Sequence, residues 1–355
     1  MRVTFELDSY RPAGASQWQL PQWGHPLSMG VFPAFVSSDD TLTQVGTAFC
    51  VSKLGLLASA LHVVSEALRA DGQITPSFSS PLGTASVNMR LARTGLTVLH
   101  QRVATVGTMS IALWGVESVN AAPPTDLAFA FPTHQTSFPF LQLPMSFVLP
   151  RIGSLVRLIG YSNAGASARI IDRGAFVRGE AAALADYAHE FHVVEGRVTD
   201  IFAGRFAAGF CDGPCFAVDA EVPHGVSGGP ALTAEGSVCG IVTAGASRFF
   251  NRPMTLVSPL YPALLLPIEF GARFGPLNLR AEYPLLELID GGSVASDGSH
   301  ESVRYSEALD CVHPRIHRED SAHVFDDFAS YQAGRPATPV TTPVLRARRN
   351  PSPAG

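Results

Sequence analysis

Gly225-Val226-Ser227-Gly228-Gly229-Pro230 is the stretch on which the reading of this chain turns. It isolates one serine among glycines, so the main chain can adopt turns closed to other residues and a substrate carbonyl can come close to the backbone. The N–H groups of Gly225 and Ser227 can then converge as an oxyanion hole, where one donor is worth roughly 2.7 to 4 kcal/mol of transition-state stabilisation. A serine hydroxyl is a weak nucleophile unless a general base takes its proton and a third group orients that base. The rest of the chain therefore has to supply a histidine and a carboxylate.

It supplies both. Gly46-Thr47-Ala48-Phe49-Cys50-Val51-Ser52 reads as a strand, Leu54-Gly55 as a turn, and Leu56-Leu57-Ala58-Ser59-Ala60 as a second strand running into Leu61-His62-Val63-Val64. His62 thus sits where an apolar hairpin opens out. Further on, Ala121-Ala122-Pro123-Pro124-Thr125 is a turn that delivers Asp126 immediately before the apolar run Leu127-Ala128-Phe129-Ala130-Phe131. A carboxylate at such a border can be half buried and still reach an imidazole, with Glu117 and Asp40 as the fallback carboxylates.

These residues resemble the trypsin-like, or chymotrypsin-fold, serine peptidases, in particular their bacterial branch without disulfides. The family pattern of a Gly-Thr-Gly-Phe-like strand, a Thr-Ala-Ala-His-Val-like strand end, an Asp-Leu-Ala-like strand start and a Gly-x-Ser-Gly-Gly-Pro loop stands here at residues 46–49, 59–63, 126–128 and 225–230. Two looser matches agree. Residues 153–161 look like the strand opening the second barrel, and residues 215–220 like the strand leading to the nucleophile. The resemblance covers about residues 29–270. It implies an all-β fold of two six-stranded antiparallel β-barrels with the active site between them. It also implies a triad of Ser227, His62 and Asp126, an oxyanion hole at Gly225 and Ser227, and hydrolysis of protein or peptide substrates through a covalent acyl-enzyme. No metal or organic cofactor enters that reaction.

The pentad also satisfies the Gly-x-Ser-x-Gly elbow of α/β-hydrolases, whose triad runs Ser, then Asp or Glu, then His. Here the order is His, Asp, Ser. Gly228-Gly229-Pro230 cannot begin the long helix an elbow requires, and the later histidines, His300, His313, His317 and His323, lie in a polar tail. Three residues depart from the trypsin-like pattern: Ala48, Leu61 and Val226. The last replaces an aspartate that pairs with a freshly cleaved N-terminus in the secreted digestive relatives, so Val226 argues against that kind of zymogen activation. A triad-bearing esterase, or a peptide-binding module with a misformed oxyanion hole, would share the same motifs.

The resemblance also frames a substrate pocket. Glu221, six residues before the serine, occupies the position that often floors the primary specificity pocket; pointing inward, it would favour Arg or Lys before the scissile bond. Facing water is the ordinary state of a strand-end glutamate. His224 either touches substrate or faces solvent, and Thr243-Ala244-Gly245 forms a wall of small residues.

Composition agrees with a compact enzyme. Apolar residues make up 46% of the 355 and charged ones 15%, enough for one large or two medium cores. A net charge of −5 leaves no footprint for nucleic acid. Five cysteines, Cys50, Cys211, Cys215, Cys239 and Cys311, miss the family's cystine positions, so reduced thiols are expected. Cys211 and Cys215 alone are close enough in sequence for a bridge or half a metal site. The first residues are charged and alternating rather than signal-like, and the apolar run 254–268 is broken by Pro259, Pro262 and Pro267 and too short for a bilayer. A cytoplasmic protein without membrane contact is the expectation.

Short strands punctuated by turns indicate barrels rather than a βαβ sheet. The expected divisions are an N-terminal lead-in at 1–28, anchored by Trp18 and Trp23, a first barrel at 29–150, a second at 151–275 and a C-terminal extension at 276–355. Val87, Met89 and Leu91 alternate with polar or small neighbours as in a half-buried strand. Helices are expected at 61–70 and 180–187. From about residue 290, Gly, Ser, Asp, His, Arg and Pro accumulate, a composition that predicts a largely disordered tail.

Overall fold

From Val31 to Pro259 the apolar runs become antiparallel strands and the Gly- and Pro-rich segments become the turns between them. The computed structural model describes residues 17–20, 26–37, 41–70, 87–90, 96–105, 108–121, 123–132, 141–163, 170–172, 175, 189–271, 273–274, 277–278, 281–306, 311–313, 316, 318–336 and 342–343. Strand β1 spans Gln17–Leu20, β2 Val31–Ser37, β3 Thr41–Cys50, β4 Leu57–Ser59, β5 Val87–Arg90, β6 Leu96–Thr105, β7 Thr108–Ala121 and β8 Ala128–Pro132. Helix α1, Leu61–Ala70, follows β4. Strands β9 Leu155–Asn163, β10 Ile170–Asp172, β11 His189–Phe202, β12 Cys215–Val218, β13 Pro230–Thr233, β14 Val238–Gly245 and β15 Thr255–Pro259 make up the second half.

Each half closes on itself. The path β3-β2-β6-β7-β8-β4 returns to β3 through the pairing of Ala48 with Ser59, and β9-β11-β12-β15-β14-β13 returns to β9 through Ala231 and Leu158. Both are six-stranded antiparallel barrels, as the resemblance implies, and closure removes the open edges that would otherwise pair with other chains. Extra strands lie on the outside: β5 on β7, and β1 on β11, where Trp18 faces Val193 in register. Strand β10 follows β9 of the second barrel in the chain yet pairs with β3 of the first barrel, Ile170 opposite Thr43.

Burial follows the pattern of the residues. Strands β4, β8, β12 and β15 are continuous apolar or small runs and are buried along their length, the signature of strands covered on both faces. Strand β3 changes character midway. Leu42 and Gln44 point inward while Thr41, Thr43 and Val45 are partly exposed, and from Gly46 onward every residue is buried where the strand passes between the barrels. One core cluster runs through both barrels, with Phe49, Phe129 and Phe131 on one side and Leu158, Phe216 and Ile241 on the other. Cys50, Cys211, Cys215 and Cys239 are buried free thiols. Burial pushes Cys50 and Cys239 up to about 12, so these side chains behave as small apolar groups.

Within the C-terminal extension, several described segments dock on the barrels. Among its described residues, Leu285, Leu288 and Ile289 of the helix Leu285–Asp290, together with Val294, are buried against the main core. The short strand Val324–Phe325 pairs in parallel with the end of β11, and the helix Phe328–Gln332 begins at Asp327, whose side chain accepts the Ser330 N–H at 2.8 Å as an N-cap. Phe325, Phe328 and Tyr331 complete an aromatic cluster with Phe202, Phe206, Phe249 and Phe250. These anchors reach both barrels, Val294 lying opposite Ser52 of the first and Val324–Phe325 beside β11 of the second, which an average over the segment conceals. Trp23, Asp40 and the helix expected at 180–187 lie outside the described residues.

Candidate active site

His62 is carried by the first turn of α1, not by the end of a strand: β4 stops at Ser59, and Ala60 passes the chain into Leu61–Ala70. Val63 and Val64 are fully buried, so they hold that first turn on the barrel while the His62 side chain stays about half exposed. Asp126 sits one residue before the buried Leu127, which leads into β8, and its side chain is 14% exposed. Because β4 and β8 are neighbours, with Ser59 opposite Ala128, the two residues that flank these strands meet.

They meet through both carboxylate oxygens. Asp126 Oδ1 accepts the main-chain N–H of His62 at 2.9 Å, and Asp126 Oδ2 lies 2.8 Å from His62 Nδ1. The Leu61 N–H donates to the Asp126 main-chain oxygen at 3.2 Å. An ionised carboxylate can only accept, so the imidazole proton belongs on Nδ1 and the lone pair on Nε2. That is the tautomer a general base needs. Of the fallback carboxylates, Glu117 lies on β7 and Asp40 outside the described residues.

The serine turn is built on the same wall. The Thr47 N–H donates to the Ser227 main-chain oxygen at 2.8 Å, and a Cβ placed on Gly228 would overlap Thr47 O and Ser59 Oγ and come within 3.2 Å of the Ala60 nitrogen. Ser227 and Gly228 therefore press against the strand end that launches His62. On its other side the turn is zipped to β14: Gly228 N–H donates to Val242 O at 2.8 Å, and Val242 N–H to Gly229 O at 2.9 Å. Val226 is fully buried in the common core.

Gly225 and Gly228 have φ of 103° and 86°, in the left-handed region. Val226 N–H donates to Pro223 O and Gly229 N–H to Val226 O, so these two groups are consumed within the turn. Among the described residues, no acceptor takes the N–H of Gly225 or Ser227. Those are the two donors assigned to an oxyanion hole from the sequence.

The pocket residues are less uniform. Glu221 and His224 are exposed. Thr243 is turned inward, 3% exposed, with its hydroxyl 2.9 Å from Ser258 Oγ, because a bulge in β14 between Val242 and Ala244 reverses the alternation there. Ala244 and Gly245 remain partly exposed and exposed, respectively.

Sequence reasoning missed the polar groups beneath the turn. Thr47 is fully buried; its hydroxyl donates to Gly225 O at 2.8 Å and accepts the Tyr161 N–H at 3.0 Å, while Ser59 Oγ donates to Thr47 O at 2.8 Å. Buried Gln44 donates from Nε2 to Tyr161 O at 3.2 Å. His192, 3% exposed, bonds through Nε2 to Ser162 Oγ, and burial lowers its pKa against the opposing pull of Glu190. The only local signal was a threonine inside a strand motif that a β-propensity argument already explained.

Solved structures of similar course include the MamO protease domain from Magnetospirillum magneticum, at 20% identity and a TM-score of 0.41, covering 66% of this chain and 94% of that one. The active form of the Rv3671c protease from M. tuberculosis aligns at 16% identity and a TM-score of 0.40, covering 65% and 76%. For Deg5 the values are 18%, 0.40, 66% and 84%. No curated protein matches the chain. Residues 46–241, more than half of the sequence, match the trypsin-like peptidase domain, and they run from the Gly46 strand through the Ser227 turn to β14. On that match the chain belongs to the trypsin-like peptidase domain family.

Proposed function

We propose that the protein is a serine endopeptidase working through Ser227, His62 and Asp126. The observation that carries this reading is the double contact of Asp126 with His62, at 2.9 and 2.8 Å, because it fixes ring orientation and tautomer together. Nε2 is thereby left with the lone pair of the neutral ring. In the first step His62 takes the Ser227 proton as the oxygen attacks a peptide carbonyl, and Asp126 stabilises the imidazolium that forms. The negative charge on the carbonyl oxygen is met by the N–H groups of Gly225 and Ser227. His62 then gives its proton to the departing amine, leaving an acyl-enzyme on Ser227. Water, deprotonated by His62, attacks that ester, and the carboxylic acid product leaves as the serine regains its proton.

Two exposed residues, Glu221 and His224, belong to this reading as candidate contacts for substrate side chains, and Ala244 and Gly245 as the wall beside them. The test is covalent labelling with a fluorophosphonate. The intact protein should be modified and Ser227→Ala should not. Equal modification of both, or of neither, removes the proposal.

A further inference from the structure

The serine turn contains a glycine, Gly225, whose main chain could adopt either hand, and a peptidase needs it held in one. Some group must select that conformation. We infer that the Thr47 hydroxyl is the latch that aims the two oxyanion N–H groups, acting as a positioning residue from the first barrel on the turn of the second. This rests on the proposed serine peptidase function and names the residue that prepares its site.

The geometry is specific. The two oxyanion donors belong to the peptide units preceding Gly225 and Ser227. Between them lies the unit joining Gly225 to Val226, whose carbonyl accepts the Thr47 hydroxyl proton at 2.8 Å. The unit after Ser227 is caught by the same residue, through the Thr47 N–H at 2.8 Å. Thr47 thus pins the main chain on both sides of the peptide unit that carries the Ser227 N–H. Among the described residues it is the one side chain hydrogen-bonded to the main chain of residues 225–229.

The latch is itself fixed. Its oxygen accepts the Tyr161 N–H at 3.0 Å, which fixes the side chain through a lone pair while the one hydroxyl proton goes to Gly225 O. Ser59 Oγ donates to Thr47 O, tying the residue to the strand that precedes His62. A Cβ on Gly160 would lie 2.8 Å from Thr47 Oγ1 and 2.9 Å from Val226 Cα, so the absence of a side chain at Gly160 lets threonine and turn come together. With full burial at Thr47, water does not reach the hydroxyl to replace either bond.

The experiment follows the saturation kinetics of fluorophosphonate labelling in the intact chain, in Thr47→Val and in Thr47→Ser, with melting temperatures alongside. The phosphoryl oxygen of the reagent needs the same two donors as a tetrahedral intermediate. Removing one such donor costs about 100- to 1000-fold, and misaiming the pair without deleting it should cost less. Thr47→Val should lower the maximal labelling rate about 30-fold with the half-saturating concentration within about twofold, and Thr47→Ser should stay within about threefold of the intact chain. A folded Thr47→Val within threefold of the intact rate overturns the inference. So does equal loss in both variants. Should Thr47→Val not fold, Thr47→Ala and Thr47→Ser, which differ by the oxygen alone, make the same comparison. An intact protein in which Ser227 resists the reagent overturns the peptidase reading and this inference together, whereas a reactive Ser227 indifferent to Thr47 overturns only the latch.

Discussion

Asp126→Asn tests the charge and the proton position at once, because the native carboxylate spends its two oxygens on two different donors. Oδ1 holds the His62 main-chain N–H at 2.9 Å, a group that can only donate, and Oδ2 faces Nδ1 at 2.8 Å. An asparagine has one oxygen and one NH2. If the oxygen stays on the main-chain N–H, the NH2 faces Nδ1, the ring must accept there, and its proton moves to Nε2, where no lone pair remains for Ser227. The flipped amide would set NH2 against N–H and leave that donor unsatisfied, at a cost of about 1–3 kcal/mol. The unreactive tautomer therefore dominates by about 5- to 150-fold, at 1.36 kcal/mol per factor of ten. Losing the ionised partner of the imidazolium removes a charge-assisted hydrogen bond of about 1.5–3 kcal/mol. Together these reach up to about 6 kcal/mol, in line with the roughly 10,000-fold loss that the same change causes in the serine-protease triad. Labelling by a fluorophosphonate near pH 7.5 should slow by about that factor, with the melting temperature little changed. A folded variant within tenfold of the native rate would refute the assignment of Asp126.

Further outcomes follow from other parts of the molecule. Gly228→Ala should abolish labelling and lower urea stability by at least about 2 kcal/mol, since a Cβ at φ 86° would overlap Thr47 O and Ser59 Oγ; wild-type stability would contradict this. Deleting residues 318–355 removes buried Val324 and Phe325 and uncovers the aromatic cluster around Phe206, so at about 1.5–3 kcal/mol per buried side chain the loss should be about 3–6 kcal/mol; an unchanged melting temperature would deny these last residues any structural role. His192 has its folded pKa lowered by burial, with Glu190 opposing, so below about pH 6.5 the unfolded chain binds a proton the folded chain refuses, and stability falls as pH falls. In His192→Leu the melting temperature should therefore decline less steeply from pH 7 to pH 5, and an identical slope would dismiss this histidine. Between pH 8 and 10 the labelling rate of folded protein should stay level, because buried Val226 offers no carboxylate for an amino group to hold and Cys50 and Cys239 titrate only at about 12; a fall centred near pH 8 would show that an ionisable amine secures the turn.

The parts of the site that could be read in the sequence are those written in adjacent residues. A serine between Gly225 and Gly228, a histidine just beyond the buried run 56–60, and an aspartate on the threshold of 127–131 each carry their own local reason. Two closed barrels followed from the same punctuation together with the family resemblance. The groups that were not legible act across the chain. Thr47 and Gly225 are 178 residues apart in the chain, and nothing near either one announces the bond between them. Strand β10 pairs with the first barrel although it follows β9, a crossing that strand periodicity does not encode. The docked segments of the extension were not legible for another reason. Its average composition is polar, but stability there comes from a handful of anchors, Leu285, Leu288, Ile289, Val324 and Phe325, set at intervals that meet existing apolar surface. Thr243, grouped in the sequence with Ala244 and Gly245 as a wall of small residues, is the extra residue of the bulge in β14 and is buried, a placement that sequence does not announce.

The division of labour between the barrels explains why so few charges are needed. Barrel one provides the imidazole, its carboxylate and, through Thr47, which Ser59 holds in turn, hydrogen bonds that seat the turn; barrel two provides the turn and zips it along β14. In the secreted digestive relatives the residue before the serine is an aspartate. Here it is Val226, fully buried in the core shared by both barrels. An apolar plug anchors the turn without direction, so direction must come from hydrogen bonds, and those converge on Gly225 and Ser227 from a residue that no solvent reaches. Seating by neutral groups has a consequence for assembly. On the proposed mechanism such seating calls for no new amino terminus at the turn, and it would tie alignment of the oxyanion donors to docking of the first barrel on the second, since Thr47 and the turn sit on opposite sides of that contact.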